Sequence, residues 1–236
     1  MPESPIRKLV PYAEQAEEEG KSIYYLNIGQ PDIKTPEVAL NAVKNSNVEI
    51  LSYSRSEGSD TYRQKLAAYY NKFDIKVSYK DIIVTTGASE ALLLLFSSIM
   101  DPGDEVIISE PFYANYIAFS TANGVTVVPA VCNIDNNFSL PSLEAFEKLI
   151  TPKTKAILIC NPGNPTGNVL QRKDIEDIIK ICYENEIVIC ADEVYQSNIY
   201  TETAPFISFR KVLAEMGAPY ADSVELISMH SVSKGL

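Results

Sequence analysis

From residue 80 onward, short apolar runs alternate with longer stretches of helical periodicity. The runs are rich in Val and Ile and predict buried strands, at Ile82–Thr86, Glu105–Ser109, Val125–Val131, Thr154–Cys160, Ile187–Ala191 and Val224–Met229. The stretches between them predict helices over Ser89–Met100, Tyr113–Ala122, Leu140–Ile150, Arg172–Asn185 and Ser208–Met216. This alternation predicts an α/β fold in three layers, a mostly parallel sheet with helices on both faces.

The first 80 residues carry weaker patterns. An amphipathic helix is predicted over residues 1–20, and an extended piece over Tyr24–Ile28 leads into a turn-rich loop. Thr35 and Pro36 are predicted to open a helix as its cap and first residue. A further helix is predicted over residues 60–73.

Composition excludes several classes of partner. The formal net charge of −11 argues against nucleic acids and anionic membranes. No apolar stretch is long enough for a transmembrane helix, and residues 1–20 lack the apolar centre of a secretory signal, so a cytoplasmic location is expected. The four cysteines form no CxxC pair and are expected to be buried free thiols. A single histidine excludes a histidine-rich metal site, and no metal is predicted.

The loops that follow the strands are the places to look for chemistry, because parallel sheets bind ligands beyond the carboxyl ends of their strands. Gly87-Ala88-Ser89-Glu90 follows the first predicted strand and opens a helix, whose N–H groups suit a phosphate. The alternative is an ordinary turn with Ser89 as a helix cap. Neither GxxxxGKS nor GxGxxG occurs in the chain.

Two further loops carry candidate side chains. The loop from Asn161 to Gly167 contains two Asn-Pro steps, which stiffen it and can aim the amide of Asn164 at a ligand. Asp192 comes at the end of a buried strand, where its pKa is raised unless a cation or donor pairs with it. A pyridinium nitrogen is such a partner. The alternatives are a merely tight loop, Asp192 as a helix cap and Tyr195 as a core residue.

Lys234 follows the last predicted strand, with the hydroxyls of Ser231 and Ser233 beside it. A lysine held at a strand end can be desolvated, which favours its neutral amine. A neutral amine can attack an aldehyde and form a Schiff base. Alone, Ser-x-Ser-Lys is a weak signal, and its weight comes from the motifs upstream.

Taken together, these motifs resemble the class I/II aminotransferases, pyridoxal 5′-phosphate (PLP) enzymes of fold type I that include aspartate aminotransferase. The order Asn-Pro-x-Asn-Pro-Thr-Gly, Asp-Glu-x-Tyr and Ser-x-Ser-Lys carries the resemblance. Further matches are Leu26–Asp32, Tyr53 with Gly58 and Arg63, Gly87–Leu92 and Asp101–Val106. Essentially all 236 residues are covered.

The resemblance implies a role for each matching residue. Lys234 is the Schiff-base lysine and proton shuttle, and Asp192 keeps the pyridine nitrogen protonated. The other expected contacts are Tyr195 and Asn164 with the 3′ oxygen of the ring, Tyr113 stacked on the ring, Ala88, Ser89 and Ser231 with the phosphate, Gly29 over the substrate carboxylate, and Tyr53 reaching the phosphate of a partner subunit, which implies a homodimer.

The resemblance also implies how the chain is divided. Residues 1–35 are expected to form an N-terminal helix and substrate-loop segment, and residues 36–236 the large PLP-binding domain. The phosphate-binding arginine after the lysine, the next antiparallel strand and the small C-terminal domain of the family are not in this sequence. A shortened form or gene fragment is therefore expected.

The implied reaction is amino-group exchange between an L-amino acid and a 2-oxo acid, with aspartate or glutamate as the expected donor and alanine or aromatic amino acids next. The alternatives are a carbon–sulfur β-lyase on the same fold, a regulatory PLP domain, and an inactive fragment that at most binds PLP. A DNA-reading segment before Tyr24 is lacking, which counts against the regulatory domain. His230 is expected to be structural, and Glu90 and Glu193 solvated or capping.

Overall fold

The computed structural model describes residues 7–27, 29, 33–200 and 205–235. It divides into two compact units, residues 2–56 and residues 57–236. The boundary between the two compact units falls between residues 56 and 57. The boundary predicted from the sequence lies between residues 35 and 36 and separates a substrate-loop segment from the cofactor-binding domain. That division stays a prediction. The unit of residues 57–236 contains the sheet.

The described sheet has five strands, β1 (Glu105–Glu110), β2 (Thr126–Val131), β3 (Thr154–Cys160), β4 (Val188–Asp192) and β5 (Leu226–Met229). Their spatial order is β2-β1-β3-β4-β5, and every neighbouring pair is parallel. The chain moves from β1 to one edge and then returns to the other side of β1. The carboxyl ends of β1 and β3 therefore flank the switch point where ligands bind in such sheets.

Ten α-helices are described, and eight of them belong to the unit of the sheet. These are α3 (Asp60–Asn71), α4 (Gly87–Ile99), α5 (Asn115–Ala122), α6 (Leu143–Glu147), α7 (Arg172–Asn185), α8 (Phe209–Met216) and α9 (Tyr220–Ser223), with the short α10 (Val232–Gly235) after β5 as the eighth. Helices α1 (Val10–Glu18) and α2 (Glu37–Lys44) precede them. Within the described part of the chain, no helix has the length and apolar character needed to cross a membrane.

Two apolar cores lie on opposite faces of the sheet. Successive strand residues alternate between them, as a period of two requires: Ile157 packs with α7 and α8, and Leu158 packs with α4 and α5. Both side chains are fully buried. The predicted three-layer α/β/α fold is confirmed.

The run at residues 82–86 is not a strand, which corrects the sequence prediction. Its backbone is held by other partners: the N–H of Val84 donates to the carbonyl of Glu57, and the buried guanidinium of Arg63 donates to the carbonyl of Ile82. A groove of about 480 Å³ separates this segment from β5. A strand needs a neighbour to bond with, and across the groove this segment has none among the described residues.

Gly58 allows the segment of residues 82–86 to pass close to the loop that contains Gly58. Its φ is +96°, and a Cβ atom there would lie 2.8 Å from the Cβ of Val84. A larger residue would be strained by the positive φ and by the contact. The glycine is thus explained by local geometry in the described structure.

Helices α3 and α7 begin at Asp60 and Arg172 as predicted, whereas other predicted helix starts shift by one to three residues. Helix α4 begins at Gly87 with Thr86 as its N-cap, so Ser89 is not the cap. Helix α2 begins at Glu37 with Pro36 as the N-cap, instead of Thr35. The ends of a helix are less precisely defined by a hydrophobic pattern than the helix itself, because the terminal turns fray.

The last strand is less buried than its apolar sequence predicts. Strand β5 spans Leu226–Met229, and Ile227 is 37% exposed. The reason is its position: β5 pairs only with β4 in the described sheet, and its other edge faces the groove.

The unit of residues 2–56 holds α1 and α2 and many exposed apolar side chains. Residues 1–6 of the predicted first helix lie outside the described residues, and the described part is helical from Arg7 to Glu18. The predicted extended piece at 24–28 forms no strand, and its last residue, Ile28, lies outside the described residues. Leu26, Val38, Val43 and Leu51 are each more than three quarters exposed.

Replacing Ile157 by alanine is expected to lower the free energy of unfolding by about 2–5 kcal/mol, because it leaves a cavity at the centre of the sheet. Ile134→Ala is the matched control, since Ile134 is 69% exposed, and should change stability by less than about 0.5 kcal/mol. Urea unfolding measures both. Equal losses in the two variants would contradict the described core.

Candidate active site

In the unit of residues 57–236, four candidate residues follow the carboxyl ends of four different strands. Tyr113 follows β1, Asn164 follows β3, Tyr195 follows β4, and Lys234 follows β5. Because the strands are parallel, these ends meet at one edge of the sheet. The parallel topology therefore accounts for the convergence of residues that are far apart in sequence.

Asp192 is the last residue of β4 and is 4% exposed. One carboxylate oxygen accepts a hydrogen bond of 2.6 Å from the hydroxyl of Tyr116, and the other accepts one of 3.4 Å from the N–H of Val194. Burial raises the pKa of the Asp192 carboxyl, and these two hydrogen bonds oppose the shift. A cation beside this carboxylate would be strongly favoured.

Tyr116 is a site residue that the sequence reasoning missed. It lies on α5, it is fully buried, and burial together with the neighbouring Cys160 and Asp192 raises its pKa well above the usual value. A raised pKa keeps the hydroxyl protonated, so it remains a donor to Asp192. The signal available in the sequence was its spacing of three from Tyr113, which would place both rings on one face of the predicted helix Tyr113–Ala122, although α5 begins only at Asn115.

Asn164 and Tyr195 contact each other directly. The amide of Asn164 donates to the hydroxyl of Tyr195 at 3.1 Å, and both side chains are partly buried. The loop that carries Asn164 is anchored by the buried Asn161. Its N–H donates to the carbonyl of Asp192 at 2.9 Å, and its side-chain oxygen accepts from the N–H of Leu170 at 3.0 Å. The loop is thus held by specific bonds rather than by turn residues alone.

Tyr113 stands beside this group. Its ring packs edge-on against Tyr116 with 5.4 Å between ring centroids, and its hydroxyl accepts from the amide of Asn115 at 2.6 Å. The ring is half-buried. A planar ligand bound beside Asp192 could therefore pack one of its faces against the ring of Tyr113.

Lys234 lies on α10, and its Nζ is 6.0 Å from the ring centroid of Tyr195. This contact places the amine at the same site as Asn164 and Asp192. Lys234 is exposed, however, so the predicted desolvation of its amine is wrong for the described structure. The reason is that Lys234 and its neighbours Val232 and Ser233 lie at the surface.

Serines shape the turn before Lys234. The N–H of Ser233 donates to the hydroxyl of Ser231 at 3.2 Å, and the two hydroxyls are 2.7 Å apart. Ser231 also lines the groove together with Gly87, the first residue of α4. A hydroxyl and the start of a helix thus face the same space.

The start of α4 has the chemistry of an anion site. Ala88 and Ser89 lie in its first turn, where the backbone N–H groups have no partner within the helix. The carboxylate of Glu90 accepts from the N–H of Thr86, so the predicted capping role of Glu90 is confirmed. A phosphate fits the remaining N–H groups and the positive end of the helix dipole.

Glu193 is fully buried, so the prediction of a solvated side chain is wrong, whereas the capping alternative holds. Its carboxylate accepts from the N–H of Phe209 at 2.8 Å and from the hydroxyl of Ser208 at 2.9 Å, at the start of α8. Its Oε2 also lies 3.3 Å from Nε2 of His230. The tertiary structure decides this burial, because the start of α8 folds over the end of β4.

Gly29 and Tyr53 belong to the unit of residues 2–56, which is described by itself. Both are exposed there, Tyr53 completely. Residues 28 and 30–32 of the Leu26–Asp32 motif lie outside the described residues. The predicted contacts of Gly29 with substrate and of Tyr53 with a partner subunit stay predictions.

The site offers three kinds of contact to one ligand. The Asp192 carboxylate suits a protonated ring nitrogen, the Asn164–Tyr195 pair suits a ring oxygen, and the start of α4 with Ser231 suits a phosphate. In the described ranges no three His, Cys, Asp or Glu side chains converge as metal ligands would. An organic phosphate with a basic ring would match these three kinds of contact.

Known proteins with related sequences are aminotransferases. Glutamate–glyoxylate aminotransferase 1 of Arabidopsis thaliana is 36% identical over 191 residues, which are 78% of this chain and 40% of that protein. Alanine aminotransferase 1 of Bos taurus is 36% identical over 194 residues, which are 78% of this chain and 39% of that protein. The chain spans about two fifths of the length of these relatives.

Solved structures with a similar fold are also aminotransferases. The alanine aminotransferase from Pyrococcus furiosus has a TM-score of 0.84 at 30% identity, covering 98% of this chain and 57% of that one. The aspartate aminotransferase from Thermotoga maritima has a TM-score of 0.81 at 35% identity, covering 89% and 56%. The family model for aminotransferase class I and II matches residues 21–236. The chain therefore belongs to the class I and II aminotransferase family.

Proposed function

We propose that this chain forms the PLP-binding core of an aminotransferase that moves an amino group between an L-amino acid and a 2-oxo acid. The observation that carries the proposal is the convergence at one sheet edge of the buried Asp192 carboxylate, the Asn164–Tyr195 pair and the Lys234 amine. The family is generally PLP-dependent, and family membership supports the same cofactor here.

The residues at the site fit PLP group by group. Asp192 would hold the pyridine nitrogen, because a buried carboxylate strongly favours a neighbouring cation. Asn164 and Tyr195 would hold the 3′ oxygen, and Tyr113 would pack on the ring. Ala88, Ser89 and Ser231 would hold the phosphate through N–H and hydroxyl groups. PLP when bound supplies an aldehyde that takes up the amino group and a ring that withdraws electrons.

The chain's own groups would then handle protons. Lys234 would bind the cofactor aldehyde covalently and, once displaced by a substrate amine, carry a proton to and from the substrate Cα. Asp192 would keep a proton on the ring nitrogen, and the hydroxyl of Tyr116 would keep Asp192 ionised by donating to it at 2.6 Å. Tyr195 would donate to the 3′ oxygen and be held in place by Asn164.

A homodimer is part of the proposal. The unit of residues 2–56 exposes apolar side chains that a monomer would leave in water; among these are Tyr24, Leu26, Val38, Val43, Leu51 and Tyr53. Tyr53 would reach the phosphate of the partner subunit. Burial of this surface between two copies would remove the cost of its exposure.

Glutamate or aspartate is the proposed amino donor, with alanine as the alternative. Glutamate is in the name of the Arabidopsis relative, aspartate in that of the Thermotoga structure and alanine in that of the bovine relative. A carbon–sulfur β-lyase is the second candidate activity, because it would need the same PLP contacts.

The test loads the 236-residue chain with PLP and adds L-glutamate, L-aspartate or L-alanine in turn. The expected result is loss of the visible PLP absorbance and appearance of 2-oxoglutarate, oxaloacetate or pyruvate in equal amount. Protein treated with borohydride before the amino acid serves as the control and should yield no oxo acid. Pyruvate, ammonia and a thiol from an S-substituted cysteine, with no oxo acid from the three donors, would instead support the lyase.

A further inference from the structure

Glu193 and His230 form a buried polar pair next to the candidate site. Glu193 follows Asp192 at the end of β4, and His230 follows Met229 at the end of β5. Oε2 of Glu193 lies 3.3 Å from Nε2 of His230, with the carboxylate side chain fully buried and the imidazole 11% exposed. A charged group is rarely buried so fully unless it is paired. The role proposed for the site assigns no function to either residue.

The Glu193 carboxylate joins three elements of the fold. It accepts from the N–H of Phe209 and the hydroxyl of Ser208 at the start of α8, and it lies against the imidazole that follows β5. The N–H of Glu193 itself donates to the carbonyl of Met229 at 2.9 Å. This is a backbone link between the segments that follow β4 and β5. The Glu193–His230 contact is a side-chain link between the same two segments.

The imidazole is in a setting that favours its neutral form. Burial lowers the pKa of His230 to about 4 and raises the pKa of Glu193 to about 7. Nδ1 of His230 is buried without a hydrogen-bond partner among the described residues. A neutral imidazole with its proton on Nε2 places its single N–H against the carboxylate and leaves Nδ1 as the bare nitrogen.

The surroundings contain few other ionisable groups. The ring of Tyr70 on α3 packs against the imidazole with 4.7 Å between centroids. Asp192 adjoins Glu193 and raises its pKa further. The groove that His230 lines also holds the ionisable side chains of Tyr62 on α3, Asp81 and Arg210 on α8. Lys234 follows four residues after His230 and is exposed.

We propose that Glu193 and His230 are a positioning pair for the cofactor site. The link ties the residue after Asp192 to the residue before the Ser231–Lys234 turn, and so fixes the separation between the carboxylate for the ring nitrogen and the lysine for the aldehyde. Neither member touches the reacting atoms. The inference rests on the proposed PLP-binding function, because it concerns the spacing of two groups assigned to that cofactor.

Three substitutions separate a positioning role from a merely structural one. His230→Gln keeps an N–H donor at the place of Nε2, His230→Asn puts its donor at the place of Nδ1, and His230→Phe keeps the aromatic packing on Tyr70 without a donor. A structural role for the ring predicts that phenylalanine is the best replacement. A positioning role through Nε2 predicts that glutamine is.

The first measurement is a histidine NMR spectrum of the chain without PLP. The protein has one histidine, so ¹⁵N-histidine labelling gives a single set of imidazole signals without assignment. The expected result is the Nε2–H tautomer at neutral pH and a titration midpoint near pH 4. An Nδ1–H tautomer, or a titration near the usual pKa of about 6.5, would overturn the pair.

The second measurement is PLP affinity, from absorbance titration, together with the urea midpoint of each variant. His230→Gln should stay within about twofold of wild type, whereas His230→Asn and His230→Phe should bind PLP about tenfold or more weakly, since the group that faces the Glu193 carboxylate at 3.3 Å is lost. Equal affinity in all three variants, or losses that only follow the urea midpoints, would overturn the positioning role. A wild-type chain that binds no PLP would overturn the proposed function and the positioning role together, while the histidine spectrum would still show whether the pair exists.

Discussion

Replacing Lys234 by alanine is expected to abolish the PLP band that borohydride fixes to the protein, and to lower transamination by about 10²–10⁴-fold or more. The amine lies 6.0 Å from the ring centroid of Tyr195, at the same site as Asp192 and the Asn164–Tyr195 pair. Without it, the proposed site loses the amine that would form the covalent link and carry a proton at Cα. PLP would then be held only by its non-covalent contacts.

Lys211→Ala is the matched control. Lys211 lies on α8 and its Nζ pairs with Asp74 at 3.0 Å, so its loss should leave the visible band unchanged. The measurement is absorbance before and after borohydride, followed by peptide mass analysis to locate the fixed pyridoxyl group. A band that survives in Lys234→Ala, or a pyridoxyl group on another lysine, would remove Lys234 from its proposed role.

Replacing Asp192 by alanine should weaken PLP binding by about 30-fold to several thousand-fold, the usual cost of removing one partner of a buried hydrogen-bonded charge pair. The carboxylate is 4% exposed, so water replaces it poorly. Removal also leaves the buried hydroxyl of Tyr116 without its acceptor at 2.6 Å. Absorbance titration with PLP, alongside urea unfolding, separates the loss of the site from the loss of the fold.

Tyr116→Phe provides the comparison for Asp192→Ala, because it keeps the ring and removes only the hydrogen bond. That bond lowers the pKa of Asp192 against the effect of burial. Its loss should therefore raise the pKa, so that PLP affinity stays near wild type at high pH and declines as the pH falls. A pH-independent affinity in Tyr116→Phe would mean that Asp192 does not hold the ring nitrogen as an anion.

Local sequence patterns accounted for much of the site. Asp192 ends a short β-branched run, and such a run predicts both a strand and a buried carboxyl at its end. The loop at Asn161–Gly167 and the serines before Lys234 were likewise visible as motifs. These features depend on residues within a few positions of one another, which is the range over which a period of two or 3.6 carries information.

The run at residues 82–86 shows where the pattern misleads. Its composition is that of a strand, yet strand formation depends on a neighbour that the segment itself does not contain. In the described structure it is held instead by Glu57 and Arg63, from a loop and a helix earlier in the chain. The same limit explains β5, whose apolar residues lie at an edge.

By itself, the sequence determined the α/β class, the five described strands in their chain order and the family, because each rests on local periodicity and short motifs. Only the tertiary structure decided which side chains meet across it. Tyr116 and Asp192 are 76 positions apart, and Glu193 and His230 end different strands, yet each pair is in contact. The physical reason is that parallel strands gather their carboxyl ends at one edge, whatever their separation along the chain.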